Sequence, residues 1–172
     1  MLKPLAATVG AALVVVGLAS AGPDSDTYKL TANLKARFEV PKPQGVSAGA
    51  TGLFTGTAVE LANDRARVTW RLAFSKLSGR ASAAHIHTGR PGRAGGVMVA
   101  LCGPCRTGQR GTATITHRQL RTIRAGGAYV NVHTAKNAAG EIRGQVKAAE
   151  QSGPNPSPPP PPDPTQPPDP YP

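Results

Sequence analysis

Arg65-Ala66-Arg67-Val68-Thr69-Trp70-Arg71-Leu72-Ala73-Phe74 is the stretch that decides the fold. Successive side chains of an extended strand point to opposite faces. Ala66, Val68, Trp70, Leu72 and Phe74 therefore make an apolar face, and Arg65, Arg67, Thr69, Arg71 and Ala73 a solvent face. Asn63-Asp64 supplies the turn before it. The same period of two places Tyr28, Leu30, Ala32, Leu34, Ala36 and Phe38 opposite Lys29, Thr31, Asn33, Lys35 and Arg37. Strands are further expected at Thr51–Leu61, Ala81–Thr88, Gly96–Leu101, Gly111–Ile115, Ala128–Thr134 and Glu141–Lys147, about eight in all.

One helix interrupts the strands, over Thr116–Ala125. Thr116-His117-Arg118-Gln119 fits a capping box, Leu120 and Ile123 form an apolar stripe, and Gly126-Gly127 ends the helix. His117, in its first turn, is expected to be exposed. Short strands, a single short helix and Gly-rich turns describe an all-β antiparallel β-sandwich or barrel with Trp70 in its core. With one Trp, three Tyr and three Phe in the whole chain, that core is mostly aliphatic.

The two ends read differently. Met1–Ala21 has the layout of a signal peptide: Lys3, the apolar run Leu5–Leu18, then Ala19-Ser20-Ala21 as a cleavage site. The run is too short for a comfortable membrane span, and no cysteine follows it to carry a lipid. Cleavage after Ala21 predicts a secreted or cell-envelope protein without a transmembrane segment. Residues 22–26 are a short linker, 27–149 the folded domain, and 150–172 a tail in which Gly153–Pro172 holds twelve of the 18 prolines. Such a tail has no apolar surface to bury and favours an extended spacer.

Within Thr27–Ala149 lie 19 of the 20 Lys and Arg residues, against only Glu39, Glu60, Asp64 and Glu141, an excess of 15 positive charges. That excess attracts anionic cell-wall or extracellular polymers, or simply coats a solvent face. The cations are spread along the chain rather than clustered, and no nucleic-acid partner is expected. Cys102-Gly103-Pro104-Cys105 has three readings: a disulfide across a turn, a redox motif, or half of a metal site. Loop-like composition after Cys105, together with export, favours the disulfide.

Two further stretches carry chemistry. In Ala84-His85-Ile86-His87-Thr88-Gly89 the two histidines share one strand face. In Tyr129-Val130-Asn131-Val132-His133 the valines share the apolar face, and Tyr129, Asn131 and His133 lie opposite. Pairing these strands brings three imidazoles together. Neutral imidazoles on one face ligate Cu or Zn, so His85, His87 and His133 are candidate metal ligands. The other reading is a buried hydrogen-bond network of His85, His87, Asn131, His133, Glu141 and Arg143. Arg143 can hold a carboxylate in bidentate fashion, with Glu39 or Glu141 as partner; Glu39, Tyr129, Asn131, Glu141 and Arg143 are the expected supporting network.

These stretches resemble the CHRD domain, the module repeated in chordin and found singly in many bacterial exported proteins. The resemblance covers Tyr28–Val146. It is carried by Leu34-Lys35-Ala36-Arg37-Phe38-Glu39-Val40-Pro41, where Ala36 and Lys42 replace a usual Gly and a common Pro. The middle, Ala83–Gly89 through Pro91-Gly92 to Gly95–Val99, is closer. So is the end, Gly127–Thr134, Asn137 and Gly140–Gln145. It implies an immunoglobulin-like β-sandwich with no established enzymatic activity. The His-x-His strand is also similar to that of copper-zinc superoxide dismutases, without their bridging-His loop or an Asp ligand. There is no nucleophile triad, phosphate-binding loop, dinucleotide fingerprint or Gly-x-Ser-x-Gly. The acids outside the tail are too few for a glycosidase pair, so the expectation is a binding or structural protein rather than an enzyme.

Overall fold

The computed structural model describes residues 26–151. The expected signal peptide, all but the last residue of the expected linker and all but the first two residues of the expected tail lie outside the described residues. Among the described residues, nine strands and one α-helix follow one another. They are β1 (Thr27–Lys35), β2 (Thr51–Leu61), β3 (Arg65–Ser75), β4 (Ala81–Thr88), β5 (Val97–Cys102) and β6 (Gln109–Thr116), then α1 (His117–Arg124), β7 (Ala128–Thr134), β8 (Ile142–Gln145) and β9 (Lys147–Gln151). All pairs are antiparallel, in the order β5-β4-β7-β8-β1-β2-β3-β6, with β9 adding to β1. The sheet curls until its end strands β5 and β6 approach, giving a nearly closed barrel.

The structure is thus all-β and antiparallel with one short helix, but its hydrogen bonding runs as one sheet where an immunoglobulin-like sandwich would divide it into two. The reason is β1. On one edge it pairs with β2 from Thr27 to Lys35; on the other it pairs first with β9 and then, at Lys35, with β8. The strand expected over Glu141–Lys147 is accordingly two strands, and β9 carries the domain to Gln151, two residues past the expected boundary.

Alternation is strict in β3: Ala66, Val68, Trp70 and Leu72 are buried, while Arg65, Arg67, Thr69 and Arg71 are exposed. Trp70 faces Gly56 on one neighbouring strand and Gly111 on the other. A Cβ at Gly111 would lie 2.5 Å from the indole, so the missing side chain is what admits the ring. Asn63 and Asp64, with φ of 62° and 55°, make the tight turn from β2; both residue types tolerate this left-handed backbone. The capping box at α1 is present, and Leu120 and Ile123 pack into the core. His117 is half-buried rather than exposed, 3.7 Å from Glu60 and 3.5 Å from Asp64.

At the other end of β1 the alternation breaks. The strand stops at Lys35, and a turn of 3-10 helix, Ala36–Phe38, rotates the chain. Phe38, expected on the apolar face, is 45% exposed, and Glu39 takes the buried place at 1%. Cys102 and Cys105 form a disulfide, with Cα atoms 5.3 Å apart. Among the described residues no helix is long and apolar enough to cross a membrane.

Candidate metal centre

The site is built on the β4–β7 ladder. Its register pairs Ala83 with His133, His85 with Asn131 and His87 with Tyr129. Ala84, Ile86, Val130 and Val132 go into the core, each at most 1% exposed. The alternate residues, His85, His87, His133, Asn131 and Tyr129, share the outer face. This outer face is itself covered: every residue of β7 is buried.

The three imidazoles converge as their spacing predicts, with possible ligand atoms all within 4.8 Å of one another. Two are oriented by backbone carbonyls. His87 Nδ1 lies 3.0 Å from the Gly95 carbonyl and His133 Nδ1 lies 3.0 Å from that of Ala138. A carbonyl can only accept, so in each neutral ring Nδ1 carries the hydrogen and Nε2 keeps its lone pair. His133 Nε2 lies 3.1 Å from His85 Nδ1, which must then donate to it. His87 Nε2 is buried with no partner. Tyr129 stacks on His87, ring centres 5.1 Å apart and planes 10° from parallel, and donors and acceptors of Gly95 meet its hydroxyl.

Burial lowers the pKa of all three histidines, the first cause in each case. At His87 the nearby Arg143 charge adds to this, while its bond to Gly95 opposes it; His85 and His133 feel the neighbouring imidazoles. Two charged imidazoles cannot comfortably share this space. The cluster is therefore neutral at neutral pH, the state in which imidazole binds a metal.

The expected supporting residues divide between two places. Tyr129, Asn131, Glu39 and Arg143 adjoin the histidines. Asn131 Nδ2 donates to Glu39 Oε1 at 3.3 Å, and the Val40 amide donates to the same oxygen at 3.0 Å. Burial pushes Glu39 up to about 7 despite those bonds and the Arg143 charge. Gly140, with φ of 137°, lies against both side chains; a Cβ there would come within 2.6 Å of Glu39 Oε2 and closer still to the Asn131 amide.

Arg143 does not make the expected bidentate carboxylate pair. Its guanidinium lies 3.4 Å from the centre of the Tyr129 ring, and Nη2 donates to the Arg90 carbonyl at 2.9 Å. Glu141, the other proposed partner, belongs to a separate cluster. It accepts from the Ser78 amide and hydroxyl, both at 2.5 Å, from Thr134 Oγ1 at 2.6 Å and from Asn137 Nδ2 at 3.1 Å. Burial raises its pKa, but these bonds outweigh burial and hold the carboxyl below its ordinary value. Ser78 and Thr134 were not legible as partners, because neither stands out in the chain from any other loop or strand hydroxyl.

The sequence model of the CHRD domain matches residues 30–146, and the chain belongs to the CHRD domain family. No curated protein sequence matches the chain, and no solved structure does.

Proposed function

We propose that this protein is a non-enzymatic CHRD binding module, exported from the cytoplasm, that holds one Cu or Zn ion on His85, His87 and His133. The observation that carries the reading is the pair of carbonyl-fixed rings. Gly95 and Ala138 act on His87 and His133 as the outer partners of metal-ligating imidazoles commonly do, fixing the tautomer and aiming Nε2 inward. His85 would supply its Nδ1 as the third ligand nitrogen, in the tautomer that carries its hydrogen on Nε2. The Cys102–Cys105 disulfide supports an oxidising compartment.

Calorimetric titration of chelator-stripped protein tests this reading. One ion should bind per chain, with uptake lost in His133→Ala while the circular dichroism spectrum is kept. No uptake by the stripped wild type ends the metal reading and leaves the histidines as a hydrogen-bonded strand clamp. A second reading, binding of anionic envelope polymers, is favoured by one observation. Lys29, Arg65, Arg67, Arg71 and Arg110 are exposed, and no acidic residue shares the outward face of β1, β2, β3 and β6. Retention on an acidic polymer should then fall steeply with salt. Glutamate at Arg65, Arg67 and Arg71 should weaken it, and His87→Ala should not.

A further inference from the structure

Where β1 parts from the last two strands, the sheet opens. β9 pairs with β1 only as far as Thr31, and β8 rejoins it only at Lys35. The 3-10 turn that follows swings Phe38 out over the gap. The result is a cavity of about 650 Å³, within the range of small-molecule sites. Its walls are chemically one-sided. Lys35, Arg37, Lys42 and Lys147 stand around it, Phe38 forms an exposed apolar wall, and Arg143 lies at the buried floor, 1% exposed. The rim is held in place: the Arg37 guanidinium lies 4.7 Å from the Phe38 ring centre, and Lys42 Nζ donates to the Arg37 carbonyl at 2.6 Å.

Arg143 supplies the second, independent sign of a ligand. Its Nη1 is buried and has no hydrogen-bond partner. Buried guanidinium donors are rarely left unpaired, and a carboxylate is the partner that suits them best. Glu39, the single acid of the cavity wall, does not fill this role; it turns its Oε1 to Asn131 and Val40 instead. We propose that this cavity binds a small organic carboxylate with a flat apolar ring, the carboxylate on Arg143 beneath the lysine and arginine rim and the ring against Phe38. The site is separate from the histidine cluster, although Arg143 rests on Tyr129 and Tyr129 on His87.

The test is a nitrogen-15 NMR titration of chelator-treated protein with benzoate, benzamide and acetate. Benzamide keeps the ring without the charge, and acetate the charge without the ring. Benzoate should shift the Phe38, Arg143 and Gln145 signals saturably, with at least tenfold higher affinity than either control. Arg143→Gln risks the fold, because it removes the Tyr129 stack, so exposed positions carry the variants. Phe38→Ala should weaken benzoate about fivefold and leave acetate unchanged; Lys147→Glu should weaken both. His133→Ala should bind benzoate as the wild type does, whether or not that variant takes up metal. The proposal is overturned by the absence of saturable shifts at these residues. It is equally overturned by benzamide or acetate matching benzoate, or by loss of binding in His133→Ala.

Discussion

Two buried polar clusters flank β7, and they are satisfied to different degrees. Around Glu141, a serine, a threonine and an asparagine spend their donors on one carboxylate, and no atom of that carboxylate lacks a partner. Around the histidines, three buried atoms have none: His87 Nε2, Asn131 Oδ1 and Glu39 Oε2; Arg143 Nη1, also unpaired, belongs to the neighbouring cavity. The two clusters meet on β7, where Thr134 serves Glu141 and Asn131 and His133 serve the other. A polar group buried for the fold alone is normally paired, since an orphan costs about 1–3 kcal/mol. The Glu141 cluster is a staple between the loop at Ser78 and the loop after β7. The histidine side leaves three buried polar atoms unpaired.

The contrast is most easily broken at Glu141. Glu141→Ala strands the Ser78, Thr134 and Asn137 donors and should cost at least ~3 kcal/mol in urea unfolding. A loss below ~1 kcal/mol would show that the staple holds nothing. The pH profile probes the histidine side next. Glu39 is raised from 4.5 to about 7, so its contribution is fully present below pH 4.5 and fades as pH rises through about 7. The histidines are lowered from 6.5; theirs is present above 6.5 and fades as pH falls through their folded values. In the metal-free protein the two contributions therefore oppose each other, Glu39's falling between pH 4.5 and about 7 while the histidines' rises towards 6.5. Glu39→Gln should gain roughly 2 kcal/mol at pH 8 relative to wild type while keeping the acid limb; an unchanged alkaline limb would remove Glu39 from the account. Smallest is His87→Leu. It removes an orphan lone pair, and the Gly95 carbonyl it frees lies in an exposed loop. Metal-free stability should change by less than ~1 kcal/mol, whereas a clamp role for His87 requires a clear loss.

The same contrast shows what a chain discloses about itself. Alternation of apolar and polar residues in the sequence made β3, β4 and β7 legible nearly to the residue, because an apolar core face fixes register. It also made the three imidazoles legible, since alternation alone puts them on one side. The capping box located α1 for the same reason: its signal is local. What alternation could not show was where a strand ends. Phe38 continues the apolar phase of β1 in the sequence, yet the 3-10 turn at Ala36 sends it outward and buries Glu39 instead. Nor could it separate Glu141 from Arg143. They share a parity in the chain, but Glu141 precedes β8 and meets Ser78, 63 residues away. Contacts between distant loops leave no periodic trace. The single-sheet closure was hidden likewise, because β1 pairing on both edges depends on the break between β8 and β9 at Val146.

If His87 and His133 keep Nε2 free of hydrogen and ready for an ion, the imidazole nitrogens report it directly. Nitrogen-15 NMR of the metal-free protein at pH 7 should show His87 and His133 neutral, hydrogen on Nδ1 and Nε2 bare. One equivalent of zinc should then move both Nε2 signals together, and a second equivalent should move neither. Imidazolium rings at pH 7, or hydrogen on Nε2 of His87 and His133, would contradict the account.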